Sequence, residues 1–180
     1  MSKFYTELDE KLQEFVADQK IFFVGTAASD GRVNVSPKGM DSLKVLNKNQ
    51  LIWLNLTGSG NETAAHILEK SRMTLMFCSF EGKPLILRIY GKARAIHPRD
   101  EEWSEWIKLF PDYPGSRQIF LLDIDSAQTS CGFAVPNYKY QEDRSDLVYW
   151  TEKIGDEGVK NYWKEKNQTS IDGKPTRILE

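Results

Sequence analysis

Residues 50–63, Gln50-Leu51-Ile52-Trp53-Leu54-Asn55-Leu56-Thr57-Gly58-Ser59-Gly60-Asn61-Glu62-Thr63, carry a strand, a glycine-rich break and the start of a helix. The branched and aromatic residues from Gln50 to Leu56 predict an extended segment. Thr57-Gly58-Ser59-Gly60 interrupts it, and Asn61 is placed to cap a short helix from Glu62 to about Lys70, with Ala64, Ala65, Ile67 and Leu68 supplying a buried side.

Upstream, Ile21 to Ala27 is a short apolar run, Asp30-Gly31 signals a hairpin, and Arg32 to Ser36 alternates as a strand should. Pro37-Lys38-Gly39 opens an irregular stretch that ends in a turn at Asn47-Lys48-Asn49. Phe4, Leu8, Leu12, Phe15 and Val16 recur at helical spacing behind Ser2, which predicts a helix over about 3–18 with Ser2 as its cap.

Downstream, strands are expected from Met73 to Phe80 and from Leu85 to His97, joined by Glu81-Gly82-Lys83-Pro84, with a bulge or bend at Gly91. Trp103, Trp106, Ile107 and Phe110 share one face of a helix behind Asp100-Glu101-Glu102; that stripe fits a core, or a subunit interface if left uncovered. Arg117 to Asp125 is a sixth strand, and Asp146–Ile154 and Gly158–Lys166 read as two short helices.

With one internal helical crossover, a doubly wound parallel sheet is excluded. The expectation is an α+β, mainly β chain: an antiparallel, six-stranded split β-barrel decorated by helices. One domain is expected over residues 1–180, with an N-terminal helix in 1–19, the barrel in 20–126 and a C-terminal helical extension and tail in 127–180.

Composition narrows the function. The chain has 180 residues, 40% hydrophobic and 28% charged, the balance of a globular protein that can bury a core without a metal or disulfide staple. A net charge of −2 with interspersed signs lacks the footprint of a nucleic-acid binder, so no nucleic-acid partner is expected. No apolar run approaches a membrane span and the start of the chain has no apolar leader, so a cytoplasmic protein without a membrane partner is expected. Cys78 and Cys131 are expected as reduced core thiols, and no metal site is expected.

Two loops could carry chemistry. In Thr57 to Thr63 the glycines admit a ligand close to the backbone, the first helical N–H groups are unpaired, and Thr57, Ser59 and Thr63 add hydroxyls; such a loop can cradle a phosphate or simply connect strand to helix. In Asn34-Val35-Ser36-Pro37-Lys38-Gly39 a strand ends on a cation that could neutralise a phosphate or face an electron-rich ring, although the same residues make an ordinary turn. His66 and His97 have no second histidine at helical spacing and fit partly buried or capping roles.

These loops, with Phe22 to Thr26, Met73 to Phe77, Tyr90 to Ala93, Ser130-Cys131-Gly132-Phe133-Ala134-Val135-Pro136 and Asn167 to Pro175, occur in an order that resembles the pyridoxamine 5'-phosphate oxidase-related family of FMN-binding split β-barrels, in a subgroup of undefined substrate. The resemblance implies a homodimer with FMN at the subunit interface. It places Asn34, Val35, Ser36 and Lys38 at the flavin ring, Leu54 and Asn55 along the ring or ribityl chain, and Thr57, Ser59, Gly60, Asn61 and Thr63 at the phosphate.

The vitamin oxidases of that family carry an Arg-Lys pair at the start of the short helix, whereas this chain has Asn61-Glu62-Thr63; hydroxyls, helix N–H groups and Lys38 or Arg72 are left for the phosphate. The arginine- and tryptophan-rich end of those oxidases is also missing. The implied activity is electron or hydride transfer between a reductant such as NAD(P)H and a small molecule other than pyridoxamine phosphate, with no catalytic acid or base assigned. Tyr138, Tyr140, Cys131 and the tail near Asp172 are candidate walls of a substrate cleft or interface residues. A non-catalytic flavin carrier or sensor, and a haem-binding split barrel using His66 or His97, are the alternatives.

Overall fold

The computed structural model describes residues 2–180. Eight strands form one antiparallel sheet: β1 (Lys3–Tyr5), β2 (Phe22–Thr26), β3 (Asn34–Lys38), β4 (Leu43–Asn47), β5 (Gln50–Leu56), β6 (Arg72–Cys78), β7 (Ile86–Ile96) and β8 (Ser116–Ser130). Their spatial order is β3-β2-β6-β7-β8-β5-β4, with β1 also on β8. The expected mainly β, antiparallel class with added helices is what the chain adopts.

The six-stranded barrel is corrected in two respects. Two further strands exist, and the ladder does not close: β3 and β4 are its free ends. The length of β8 explains the layout, because its first half pairs with β5 (Gln50 opposite Asp123) while its far end pairs with β1 (Lys3 opposite Thr129). β4 emerges from the stretch expected to be irregular and pairs with β5, Leu43 opposite Trp53.

Helix α1 is Glu10–Asp18, shorter than the helix expected from residue 3. Asp9 starts it by accepting the Leu12 N–H at 2.9 Å, and the residues before it extend along β8, where the Ser2 hydroxyl receives a bond from Gln128 instead of capping. Helix α2 is Glu62–Glu69. Helix α3, Trp103–Trp106, passes into a 3-10 turn over Ile107–Leu109, and α4, Asp146–Lys166, is broken at Gly155, whose φ of 66° separates the two expected helical segments.

Alternation along β5 builds two cores. Leu51 and Trp53 face a cluster with Phe22, Phe77 and Phe120, in which Trp53 stacks on Phe120 at 5.0 Å, Phe22 stacks on Phe77 at 5.9 Å, and Phe22 meets Trp53 edge-on at 6.3 Å. Ile52 and Leu54 face the opposite side, against Ile96, Ile119 and Leu121, and the Trp103-Trp106-Ile107 stripe lies half-buried over that second cluster. At Gly91 the β7–β8 register shifts, and an added Cβ would come within 2.1 Å of the Asp123 carbonyl oxygen, so only glycine fits. Among the described residues no helix is long and apolar enough to cross a membrane.

Candidate functional site

Strand β5 delivers its last residues to the mouth of a cleft of about 870 Å³, walled by β3 on one side, the 57–61 loop and the start of α2 on another, and the chain after α4 on a third. Asn34, Ser36, Lys38, Asn55, Ser59, Gly60, Asn61 and Thr63, eight residues singled out from the sequence, line it. Two loops separated by about twenty residues of chain therefore meet in space; the Asn34 amide approaches the Thr63 hydroxyl at 3.4 Å.

Three of the candidates lie elsewhere. Leu54 is wholly buried in the second core, on the side of β5 opposite Asn55. Val35 alternates away from Asn34 and Ser36 and is 64% exposed. Thr57 is buried with its hydroxyl already engaged, donating to the Gly115 carbonyl at 2.7 Å and accepting from the Trp163 indole at 2.8 Å.

Asn61 occupies the N-cap position of α2 without capping it: its amide donates to the Asn167 carbonyl at 3.3 Å, and its Oδ1 is buried without a partner. Glu62, which stands where the vitamin oxidases carry a basic pair, lines the cleft with its carboxylate turned to the Ile171 N–H, both oxygens at 3.1 Å. Arg72, a suggested phosphate cation, donates instead to the Ala28 carbonyl and is not part of the cleft.

The cation that sequence reasoning missed is Arg117, at the start of β8. It is 3% exposed, and one terminal nitrogen donates to Asn167 Oδ1 at 2.8 Å, Gly60 O at 3.0 Å and Gly58 O at 3.5 Å. Its Nε is buried and unpartnered. Burial pushes its pKa down to about 9, a sign of how little water remains to solvate the charge. No local signal marks it, because Arg117 opens a strand that also carries Gln118, Asp123 and Asp125.

Lys38, at the end of β3, also lines the cleft, its amine 5.3 Å from the Trp53 ring centroid. Burial, with the positive charge of Arg117 adding to it, pushes the amine down to about 8. Among the described residues neither Lys38 nor Arg117 has a carboxylate within 4 Å, whereas Arg32, also on the cleft wall, is paired with Asp172. Glu62, turned to Ile171, and Glu165 also line the cavity, but neither pairs with these two partly desolvated cations, so their charge stays open to an anionic ligand.

A second, more apolar groove of about 1320 Å³ shares Pro37 and Lys38 with the first and is lined by Phe15, Phe23, Phe80, Tyr138 and Tyr140. The two tyrosines expected to wall a substrate cleft are therefore in this groove. Cys131 is exposed, which corrects its reading as a core thiol, and it lines neither groove; Cys78 is buried as expected. His66 and His97 are both buried and also line neither: His66 Nδ1 lies 3.1 Å from the Thr26 hydroxyl, and burial pushes His97 down to about 4.

Residues 8–131 match the family model described as pyridoxamine 5'-phosphate oxidase. A curated relative, the pyridoxamine 5'-phosphate oxidase family protein ustO of Aspergillus flavus, is 38% identical over 141 residues, covering 76% of this chain and 57% of that protein. The chain thus matches little more than half the length of this relative. Among solved structures, a protein related to general stress protein 26, of the pyridoxinephosphate oxidase family, from Clostridium acetobutylicum superposes with a TM-score of 0.52 at 17% identity, over 74% of this chain and 96% of that one. A FAD binding protein from Mycobacterium smegmatis superposes with a TM-score of 0.50 at 12% identity, over 70% and 97%. At these identities the likeness is one of fold. With the family model spanning well over half of the residues and the Aspergillus relative agreeing with it, the chain belongs to the pyridoxamine 5'-phosphate oxidase family.

Proposed function

We propose that the chain binds FMN in the 870 Å³ cleft and is an FMN-dependent oxidoreductase, moving electrons between a reduced nicotinamide and a small molecule other than pyridoxamine phosphate. One observation carries this reading: Arg117, buried and without a carboxylate partner, faces the same cavity as Lys38. A ligand with a dianionic phosphate supplies the missing countercharge. The unpartnered Asn61 Oδ1 and Arg117 Nε are further polar atoms that a polar ligand or its water could satisfy.

In this reading Arg117, the Ser59 and Thr63 hydroxyls and the first N–H groups of α2 hold the phosphate. Asn34, Ser36 and Asn55 offer hydrogen bonds to the polar edge of the ring and the ribityl chain, and Lys38 supplies positive charge near the ring. FMN, when bound, supplies the redox chemistry; the protein binds it, orients it and limits water. Family membership supports the flavin, as does a FAD binding protein with the same fold.

The apolar groove reached past Pro37 and Lys38 is a reasonable seat for the substrate, and Tyr138 and Tyr140 become its walls. A homodimer is part of the proposal. β3 is a free sheet edge, and Val33 just before it and Val35 within it are 70% and 64% exposed, the kind of uncovered apolar strip that a second subunit buries.

The test is a titration of purified protein with FMN, FAD and riboflavin, followed by flavin fluorescence, with anaerobic addition of NADH or NADPH to the complex. Tight FMN uptake and bleaching by a nicotinamide are expected. A protein that takes up no flavin overturns the cofactor; FMN that binds but is never reduced overturns the oxidoreductase and leaves a carrier. A Soret band in freshly purified protein would redirect the reading to haem.

A further inference from the structure

The nitrogen of Arg117 that faces the loop donates to three oxygens, Gly58 O, Gly60 O and Asn167 Oδ1, and none of them carries a formal charge. The guanidinium is therefore fixed in direction while its charge stays uncancelled. Asn167 is fully buried and lies well past residues 8–131, the part of the chain that matches the family model.

Each polar group of Asn167 is used. Its N–H donates to Trp163 O at 3.0 Å, ending α4. Its side-chain amide donates to Gly58 O at 3.1 Å, and its carbonyl accepts from Asn61 at 3.3 Å and from the Thr176 hydroxyl at 2.6 Å. One residue thus touches the glycine-rich loop at two points and Arg117 at a third. The Trp163 indole adds a fourth tie through Thr57.

We propose that Asn167 is a positioning residue of the cofactor site: a neutral acceptor that fixes Arg117 and the Gly58–Asn61 loop for a phosphate while leaving the charge of Arg117 to the ligand. The proposal rests on the FMN reading above. A carboxylate in the same place would hold the guanidinium more firmly but would neutralise it, so the choice of amide over acid selects for an anionic ligand. The specificity of the site for a phosphorylated ligand is then completed by the segment after α4, beyond residues 8–131 that match the family model.

The experiment compares FMN and riboflavin, which differ by the phosphate, on the wild type, Asn167→Asp and Asn167→Ala. Melting curves report whether each variant folds. Asn167→Asp is expected to weaken FMN binding by about tenfold or more and riboflavin by less than about threefold. Asn167→Ala should lower the FMN-to-riboflavin preference by less than the aspartate does, because it loosens Arg117 without cancelling it. A variant that weakens both ligands equally has lost only structure, and that result overturns the proposal, as does Asn167→Asp with wild-type FMN affinity. If Asn167→Asp fails to fold, the same criterion is applied to Asn167→Ala.

If the wild type binds neither flavin, the reading of function fails separately, and inorganic phosphate replaces FMN as the probe. A phosphate-dependent rise in melting temperature that Asn167→Asp abolishes keeps the positioning role; no rise in the wild type overturns it.

Discussion

The body of the protein and its last fourteen residues are held by opposite kinds of force. In the body, the Phe22, Trp53, Phe77 and Phe120 rings and the aliphatic residues around them make a dry core, and hydrogen bonding is mostly the sheet ladder. The segment from Asn167 onward buries Ile178 but is attached mainly by polar contacts: Asn167 to the loop, Ile171 to Glu62, Asp172 to Arg32, and Lys174 to Asp30 and Glu69. Burial of apolar area is indifferent to pH and to ligand charge, whereas polar attachments respond to both. The difference assigns stability to the body and control of the cleft to the tail.

The largest effect should fall on the body. Phe120→Ala removes a fully buried ring stacked on Trp53 at 5.0 Å, and a loss of about 3–5 kcal/mol in urea denaturation is expected. A loss below about 1 kcal/mol would mean that the core is not where the stability lies.

Next comes Arg117→Met, which should separate binding from folding. FMN affinity is expected to fall by about 30- to 100-fold, while stability without ligand changes by no more than about 1 kcal/mol, because removal of a partly desolvated charge offsets the hydrogen bonds lost. A large stability loss with unchanged FMN affinity would make Arg117 a structural residue.

The same contrast explains what could be read from the sequence. The hairpin, β5, the break at Gly155 and the bulge at Gly91 depend on patterns a few residues long, and they were legible. β1 was hidden because Phe4 falls on the helical spacing of Leu8 and Leu12; what decides the matter is Asp9, which caps the helix there, and β8, which pairs with residues far away in sequence. β4 follows Pro37 and Gly39, whose turn signals outweigh the strand character of Leu43 to Leu46.

At the site, both loops were legible because each is local. Strand parity decides which side chains reach the cleft: Asn55 and Ser36 line it, whereas the alternating Leu54 and Val35 side chains point to the second core and to solvent. Arg117, and the part Asn167 plays within the Asn167–Pro175 segment, are not legible for another reason. Their meaning lies in contacts with Gly58 and Gly60 across more than fifty positions of chain, which no local pattern encodes.

Lys38 offers a middle-sized effect through pH. Its amine is depressed to about 8 in the folded, ligand-free protein, below the ordinary 10.5 of an unfolded lysine. Between these values the unfolded chain binds the extra proton, so the ligand-free protein should gain stability as pH rises from about 8 to 10.5. Affinity for an anion should run the other way, falling by up to about tenfold per pH unit once the amine begins to lose its charge. Lys38→Met should flatten both profiles. Identical slopes in wild type and variant would remove Lys38 from the site.

The smallest effect should come from the exposed ion pairs of the tail. Lys174 holds the Asp30 and Glu69 carboxyls below the usual carboxylate range, and the Arg32 N–H and guanidinium do the same for Asp172. Groups depressed on folding contribute above their unfolded values and cease to contribute as pH falls through the folded ones, so the attachment should weaken only below about pH 4. Because these pairs are open to solvent, salt near 1 M should have much the same effect at neutral pH by shortening the screening length to about 3 Å. Asp172→Asn and Lys174→Met are therefore expected to leave the melting temperature of the body nearly unchanged and to weaken FMN binding only a few-fold, with the difference from wild type disappearing in high salt. Limited proteolysis gives an independent readout, since a loosened tail exposes Lys166 and Arg177 to trypsin sooner. If the variants melt much earlier than wild type, the tail belongs to the folding unit and the division drawn between the two regions is wrong. If proteolysis quickens while FMN affinity holds at every salt concentration, Asn167 alone anchors the loop, and the outer pairs merely tether the chain beyond it.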